Sequence, residues 1–547
     1  MLRAVLLLLL VLSAWGKKSR DVSIEADASA WDLTAAVPTA DQELLNEAAE
    51  FVEWFESEGG EFAEGAEMTW SRDHGFHLVA RQRIPLYGLL AVTPQELLLR
   101  LPLLDESIDD RLDYDQHAQM ALLLVRERLR GSASRWAPWF ALLPESVPNA
   151  PFFTRKDLNL FRGTTGHSIV STVLGQVGDF IAKAMSRYAD HPDFSGLTGE
   201  HLRWGFAIAL SRSFGGPNEE LFIAPGCDML NHNEFGFTKW HFPYSMRGKN
   251  ELPAKDGELV EISETFRLHT HQDFPGNGEQ IFNTYKNALS NYQLLSNFGF
   301  TRDSNSNEHI RVGFAPNPAD RDRALKNQLR DLAKISALNT IRLPLTPRSS
   351  PTSGIHPNLV KVFRIIMMTS TDIHSINKQL KILGLGNQSG DFSATMGISF
   401  YIDAELDRIV RYELVKHLST MYTNLLKHGS PQDHLAELAK LDQYERDHPD
   451  ERSEDVHKQR SVRRIAIAEM NIFHNAIASA LHGMIQKDGS IIYDGYHDPS
   501  TMNTTLSYDG LILSLREHDP SLPRIPKRDR DMRTEATMFE PPPYSNV

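Results

Sequence analysis

The chain has 547 residues, too many for one compact core, so the length predicts two domains plus terminal segments. Hydrophobic residues make up 41% and charged residues 23%, ordinary values for a globular protein that buries ample apolar surface. The net charge of −14 and the absence of a dense Lys/Arg stripe before the tail argue against a general nucleic-acid binder, and the single cysteine, Cys227, excludes an intramolecular disulfide and a thiolate-based zinc cluster.

Residues 1–16 differ from everything after them. Arg3 precedes the apolar run Ala4 to Leu12, and Ala14-Trp15-Gly16 places small residues where a signal peptidase reads them. The run is too short to span a bilayer, so the expectation is a cleaved signal, no transmembrane anchor in the mature chain, and a secretory or organelle lumen, with the cytoplasm as the alternative. The sequons at Asn387 and Asn503 occur at about chance frequency and do not bear on the compartment. Residues 17–40 are polar and read as a linker.

From Asp41, Leu44, Leu45, Ala48, Phe51, Val52 and Phe55 recur at helical spacing until Gly59-Gly60 stops the pattern. Strand-forming stretches follow at His74 to Ala80, Arg83-Ile84-Pro85 and Leu89 to Val92. About 101–204 reads as mostly helical, with an amphipathic segment at Leu122 to Leu129 and a further helix opening over Leu158 to Thr164. Trp204 to Phe214 is a helix ending Ser211-Arg212-Ser213-Phe214. Cys227, directly before Asp228, reads as a small buried hydrophobe rather than a reactive thiol. His269 and His271 alternate in a strand or loop, and a metal is not expected there.

Three strings follow one another near the middle: Asp228-Met229-Leu230-Asn231-His232, then Gly278-Glu279-Gln280-Ile281-Phe282-Asn283-Thr284-Tyr285, then Ser290-Asn291 with Phe298-Gly299-Phe300. Each alone is weak, since an Asn-His pair is common and a buried Tyr is usually a core residue. Beyond them, Ile310-Arg311-Val312 forms a last strand and Pro316 to Asp322 a loop. Long helices come next, with clean apolar stripes at Leu406, Ile409, Val410, Leu414, Leu418, Met421 and Leu425, and at Val462, Ile465, Ala466, Met470, Phe473, Ile477 and Leu481. The end, 491–547, is Pro-rich and extended. Its Pro541-Pro542-Pro543-Tyr544 is a WW-domain ligand pattern.

In their order the three strings resemble the C-terminal half of the SET domain of protein methyltransferases. The helical stretch inside the fold resembles the group of Rubisco large-subunit lysine methyltransferase and actin-histidine methyltransferase. The resemblance implies an α+β class: a SET-domain β-fold over 41–305 with the helical insert, followed over 306–490 by an all-α substrate-binding lobe. It implies S-adenosyl-L-methionine as cofactor and a protein as substrate. Tyr285 is implied as the catalytic residue, and His74, Gly75, Phe76, Arg212, Asp228, Asn231, His232 and Phe298 as cofactor-binding. Arg212 corresponds to the ligand of the cofactor's carboxylate, and Asp228 is expected to satisfy local backbone donors. Phe214 is implied as a substrate-binding apolar wall, which suits the alkyl stem of a lysine better than an imidazole. The family usually carries Gly-x-Gly where this chain has Gly75-Phe76-His77, so His77 either narrows the cofactor cleft or points outward. Two other readings stand beside lysine methylation: histidine N-methylation on the same fold, and a SET-like binding module without catalysis. A tail-driven WW-binding adaptor is a further alternative.

Overall fold

A computed structural model of the protein describes residues 39–101, 114–216, 220–242, 264–286, 288–313, 319–332, 340–344, 357–382, 404–448 and 453–485. The expected signal (1–16), nearly all of the linker 17–40, and the tail with Pro541–Tyr544 lie outside the described residues. Among the described residues no helix is long and apolar enough to cross a membrane.

Helix α1 (Thr39–Ser57) opens the fold and buries Ala48, Phe51 and Phe55, the stripe its periodicity announces. Five strands follow: β1 (Glu61–Phe62), β2 (Ala66–Ser71), β3 (Gly75–Ala80), β4 (Leu89–Pro94) and β5 (Leu99–Arg100). The insert comprises α2 (Gln116–Leu129), α3 (Ala137–Ala141), α4 (Arg155–Leu160), α5 (Gly166–Tyr188) and α6 (Gly199–Arg212). The chain then returns to strands: β6 (Phe214–Gly215), β7 (Leu221–Ile223), β8 (Asn231–His232), β9 (Thr238–His241), β10 (Thr265–Thr270), β11 (Glu279–Gln280) and β12 (Phe282–Asn283), closed by α7 (Asn291–Phe298).

These strands make small sheets rather than one large one. They run β1-β4-β10-β9, β11-β3-β2 and β5-β7-β6, with β8 and β12 paired in parallel. Sheets of two to four strands bury little surface alone. Here they share one core with the insert, in which Phe51, Phe55, Leu78, Leu122, Trp139, Ile208, Phe222 and Phe266 belong to a single cluster. Helix α2 departs from the amphipathic reading, because every residue from Ala118 to Glu127 is buried. Two of the charged residues, Arg126 and Glu127, are turned inward and paired: Glu127, 1% exposed, accepts from Arg126, Arg130 and Ser134.

The C-terminal lobe holds β13 (His309–Gly313), α8 (Arg323–Leu332), β14 (Thr340–Pro344), α9 (Pro357–Met367), α10 (Ser370–Ile382), α11 (Ala404–Leu426), α12 (Pro431–Asp447) and α13 (Glu454–Ile485). The lobe is helical as expected, and the strand read at Ile310–Val312 is present as β13, which pairs antiparallel with β14 and contributes Ile310 and Val312 to the core. Helix α13 serves both bodies. Its Met470, Ile472, Phe473, Ala476 and Ile477 fill the lobe, whereas Val462 and Ile465 pack with Phe153, Phe161, Val170, Tyr292 and Leu295 of the preceding domain. Polar ties reinforce the junction: His457 Nε2 donates to the Gly299 carbonyl at 2.7 Å, Glu469 accepts from the amide and hydroxyl of Thr165 at 2.8 and 2.6 Å, and Arg464 pairs with Asp303.

Candidate active site

The site is built where two distant segments cross. Asn231 pairs with Phe282 and His232 with Asn283 in parallel register, so the strings at 228–232 and 278–285 lie side by side. Beyond the pairing, the Tyr285 hydroxyl donates to the Leu230 carbonyl at 3.0 Å and its amide donates to His232 Nδ1 at 3.2 Å. That second bond uses the lone pair of Nδ1, so the neutral imidazole carries its proton on Nε2. Burial lowers His232 to about 4, with Arg302 acting in the same direction and Glu234 against it. The ring is thus neutral at pH 7, a fixed acceptor that sets the direction of the Tyr285 backbone.

Burial pushes the Tyr285 phenol up to about 12; Arg212 opposes the shift and Asp228 adds to it. A phenol in that range stays protonated at neutral pH. The Phe298 ring lies 4.8 Å from the Tyr285 ring, and His232 lies 5.2 Å away on another side. Ser290, with Gln293, forms the capping box that starts α7, and Asn291 exchanges two 2.9 Å bonds with the backbone of Arg302, which fixes the helix that delivers Phe298.

Asn231 Nδ2 donates to the His74 carbonyl at 3.0 Å, which joins the crossing to the β2–β3 turn. Gly75 in that turn has φ +64, and nothing stands within 4 Å of where a Cβ would be. Gly75 therefore presents its backbone to open space, between His74 and Phe76. His77 neither points outward nor hangs into that space: it is 5% exposed, and its Nδ1 donates to the Gly75 carbonyl at 2.8 Å. Burial is the main cause of its lowered pKa.

Arg212 ends α6 and reaches the same place. Its Nη1 donates to Asp228 Oδ2 at 3.0 Å and to the Asp228 carbonyl at 3.1 Å. Asp228 is expected to satisfy local backbone donors, and its carboxylate takes a bond from its own backbone amide, but that is not its main work. Its carboxylate is fully buried and accepts from two side chains, Arg212 and the indole Nε1 of Trp139 at 3.2 and 3.3 Å. The turn at Cys227–Met229 starts from Gly226 at φ +87, a left-handed backbone that aims Asp228 inward. Burial raises the Asp228 pKa, and the bonds from Arg212 and Trp139 hold it down. Trp139 was missed from sequence. An indole 89 residues away leaves no local signal of its partner.

Phe214 is accounted for by the core. It is 8% exposed and its ring contacts Phe222, Phe266 and Trp240 at 5.6, 5.2 and 5.3 Å. Cys227 is fully buried beside Thr93, and burial pushes its thiol up to about 12, which fits the inert reading. His269 and His271 turn to neighbouring rings, His241 at 5.0 Å and Tyr87 at 5.5 Å.

No family model matches the chain. It is similar to the actin-histidine N-methyltransferase of Drosophila melanogaster, 24% identical over 357 residues that cover 59% of this chain and 62% of the relative. It is also similar to the Homo sapiens protein of that name, 25% identical over 362 residues, covering 63% of this chain and 55% of the relative. The alignments thus span less than two thirds of these relatives' length. Among solved structures, the SET domain of LSMT bound to lysine and AdoHcy superposes with a TM-score of 0.60 at 15% identity, covering 86% of this chain and 98% of that one. Rubisco LSMT bound to AdoMet gives 0.59 at 16% identity, covering 86% and 99%. The chain therefore has the SET-domain fold, of the type that includes Rubisco LSMT, and is similar in sequence to actin-histidine N-methyltransferases.

Proposed function

We propose that the protein transfers a methyl group from S-adenosylmethionine to a side-chain nitrogen of a protein substrate, with a lysine amine as acceptor. The reading is carried by one observation: the Tyr285 hydroxyl sits on the Leu230 carbonyl, at the crossing that also gathers Asn231, His232, Arg212 and the open backbone of Gly75. The solved structures it superposes on hold AdoMet or AdoHcy, which supports the cofactor.

The residues present fit such a donor. Arg212 offers a guanidinium edge to a carboxylate, since among the described residues only its Nη1 is hydrogen-bonded. Gly75 leaves room for close approach to the backbone of His74 and Phe76, Asn231 borders that room, and the Phe298 face suits an adenine. When bound, the donor supplies an electrophilic methyl carbon on a sulfonium.

What the protein adds is geometry and desolvation. Because its proton is committed to Leu230, the Tyr285 oxygen presents lone pairs that accept from an incoming N–H and set its line of approach. With its phenol at about 12 it orients rather than deprotonates. A lysine of ordinary pKa about 10.4 costs roughly 4 to 5 kcal/mol to neutralise at pH 7. The surroundings that raise Tyr285 also disfavour an ammonium, which offsets part of that cost.

The test is transfer of label from methyl-labelled S-adenosylmethionine to protein by the purified full chain, compared with Tyr285→Phe. Turnover should fall by about 100-fold or more in the variant, in line with loss of one transition-state contact, while donor affinity holds within about threefold. Undiminished turnover refutes the role of Tyr285. Failure of the native chain to bind the donor favours a SET-like binding module instead. A histidine acceptor is the second reading, favoured by the names of the sequence relatives. An imidazole of pKa about 6.5 is already neutral at pH 7 and needs no deprotonation. Mass spectrometry of the labelled peptide distinguishes the two.

A further inference from the structure

We infer that Trp139 is a positioning residue for the donor-carboxylate site, acting through Asp228 on Arg212. This rests on the methyl-transfer reading and extends it to a residue 73 positions before Arg212, on a different helix.

Arg212 reaches the site from the last turn of α6 on a long flexible stem, which does not by itself aim a planar fork. Its aim comes from Asp228, whose Oδ2 takes Nη1 at 3.0 Å while the backbone carbonyl of the same residue takes Nη1 at 3.1 Å. With Nη1 fixed from one side, the edge carrying Nε and Nη2 is left for a ligand's two oxygens. Asp228 in turn has freedom about its own side-chain torsions, and something must hold it. The Trp139 indole does so, with Nε1 at 3.2 Å from Oδ2, the oxygen that also takes Arg212, and at 3.3 Å from Oδ1.

Trp139 is suited to that task because it does not move. It is 0% exposed, belongs to the main core cluster, and packs edge-on against Phe140 at 5.0 Å. A buried indole N–H needs an acceptor, and here the one donor is spent on a carboxylate with a side chain wholly out of solvent. A buried carboxylate bonded to the arginine alone would follow it; bonded to a core indole as well, it holds the arginine still. Core packing is thereby converted into the orientation of a surface-facing guanidinium.

The experiment measures binding of two probes to the full chain and to Trp139→Phe, which keeps a ring and removes the donor. S-adenosylhomocysteine carries the carboxylate; 5′-methylthioadenosine has the same nucleoside and thioether without it. We expect affinity for the first to drop about fivefold or more, as for loss of a hydrogen bond to a charged group, and affinity for the second to stay within about twofold. Asp228→Asn, which turns an amide toward the indole N–H or toward Arg212, should give the same split. The double variant should cost no more than Asp228→Asn alone, because the tryptophan acts only through the carboxylate. Should Trp139→Phe not fold, the Asp228→Asn split decides. Equal weakening of both probes marks a merely structural role and overturns the inference alone. Binding of neither probe by the native chain overturns the methyl-transfer reading and the inference with it.

Discussion

Glu308→Gln should stabilise the protein above neutral pH and leave it unchanged in mild acid. Glu308 is 4% exposed, and its Oε1 alone accepts both the Asn291 amide at 2.8 Å and the Asn305 side-chain amide at 3.3 Å. Glutamine has the same shape and keeps that oxygen, so both bonds survive and only the ionisable group is lost. Burial pushes the Glu308 carboxyl up to about 7, with Glu469 adding to the rise while the Asn291 and Asn305 bonds oppose it. Below about pH 4.5 the group is protonated in folded and unfolded chains alike, and the advantage of its neutral form is fully present. From there to about 7 the unfolded chain releases a proton that the folded one retains, so stability declines as pH rises and levels off above that point. The difference of about 2.5 units corresponds to roughly 3 kcal/mol at 1.36 kcal/mol per unit, an upper figure because Glu308 and Glu469 titrate together. For a chain of this length, at about 1 °C per kcal/mol, thermal unfolding at pH 8.5 should shift upward by roughly 3 °C in the variant, with the two proteins converging below about pH 4.5. A variant less stable than the native chain at every pH, or offset by the same amount throughout, would refute the reasoning.

Cys227, the single thiol, should resist iodoacetamide in the native protein and react once the chain unfolds, so its alkylation rate reports opening of the domain core; fast native labelling would contradict its burial. Gly226→Ala should destabilise by about 1 kcal/mol for the left-handed backbone and about 1–3 more for crowding, because the new Cβ meets Phe55 at 2.8 Å. Gly75→Ala, at φ +64 but in open space, should cost only the backbone part, about 1 kcal/mol. Denaturant unfolding of the two variants side by side checks the contrast, and equal losses would show that Phe55 yields.

What could be read from the sequence was whatever repeats or keeps its order. The stripe from Leu406 to Leu425 appears as α11, and the strings around Asn231 and Tyr285 meet as their order suggested. Periodicity failed where charge lies inside the core: the polar residues of α2 looked solvent-facing, but Glu127 is buried among Arg126, Arg130 and Ser134. It also failed across long separations. Nothing near Asp228 announces Trp139, and nothing near Thr165 announces Glu469, because one hydrogen bond between remote residues has no period. Phe214 shows the limit of reading a side chain's direction from its neighbours in sequence. A residue beside Arg212 in sequence was assigned to the pocket, whereas the strand that begins at Phe214 turns its ring to Phe222 and Phe266.

Helix α13 runs 32 residues without a proline, and its only glycine is Gly483, near its end. At 1.5 Å per residue it is a spindle of about 48 Å, seated at one end among Phe161 and Tyr292 and at the other in the lobe core with Phe363, Leu414 and Leu418. A rod keyed into two bodies makes them turn as one. Any polypeptide held by the lobe would then be offered to the Tyr285 crossing at a preset bearing, and choice among acceptors becomes a matter of reach and angle rather than of a closing jaw.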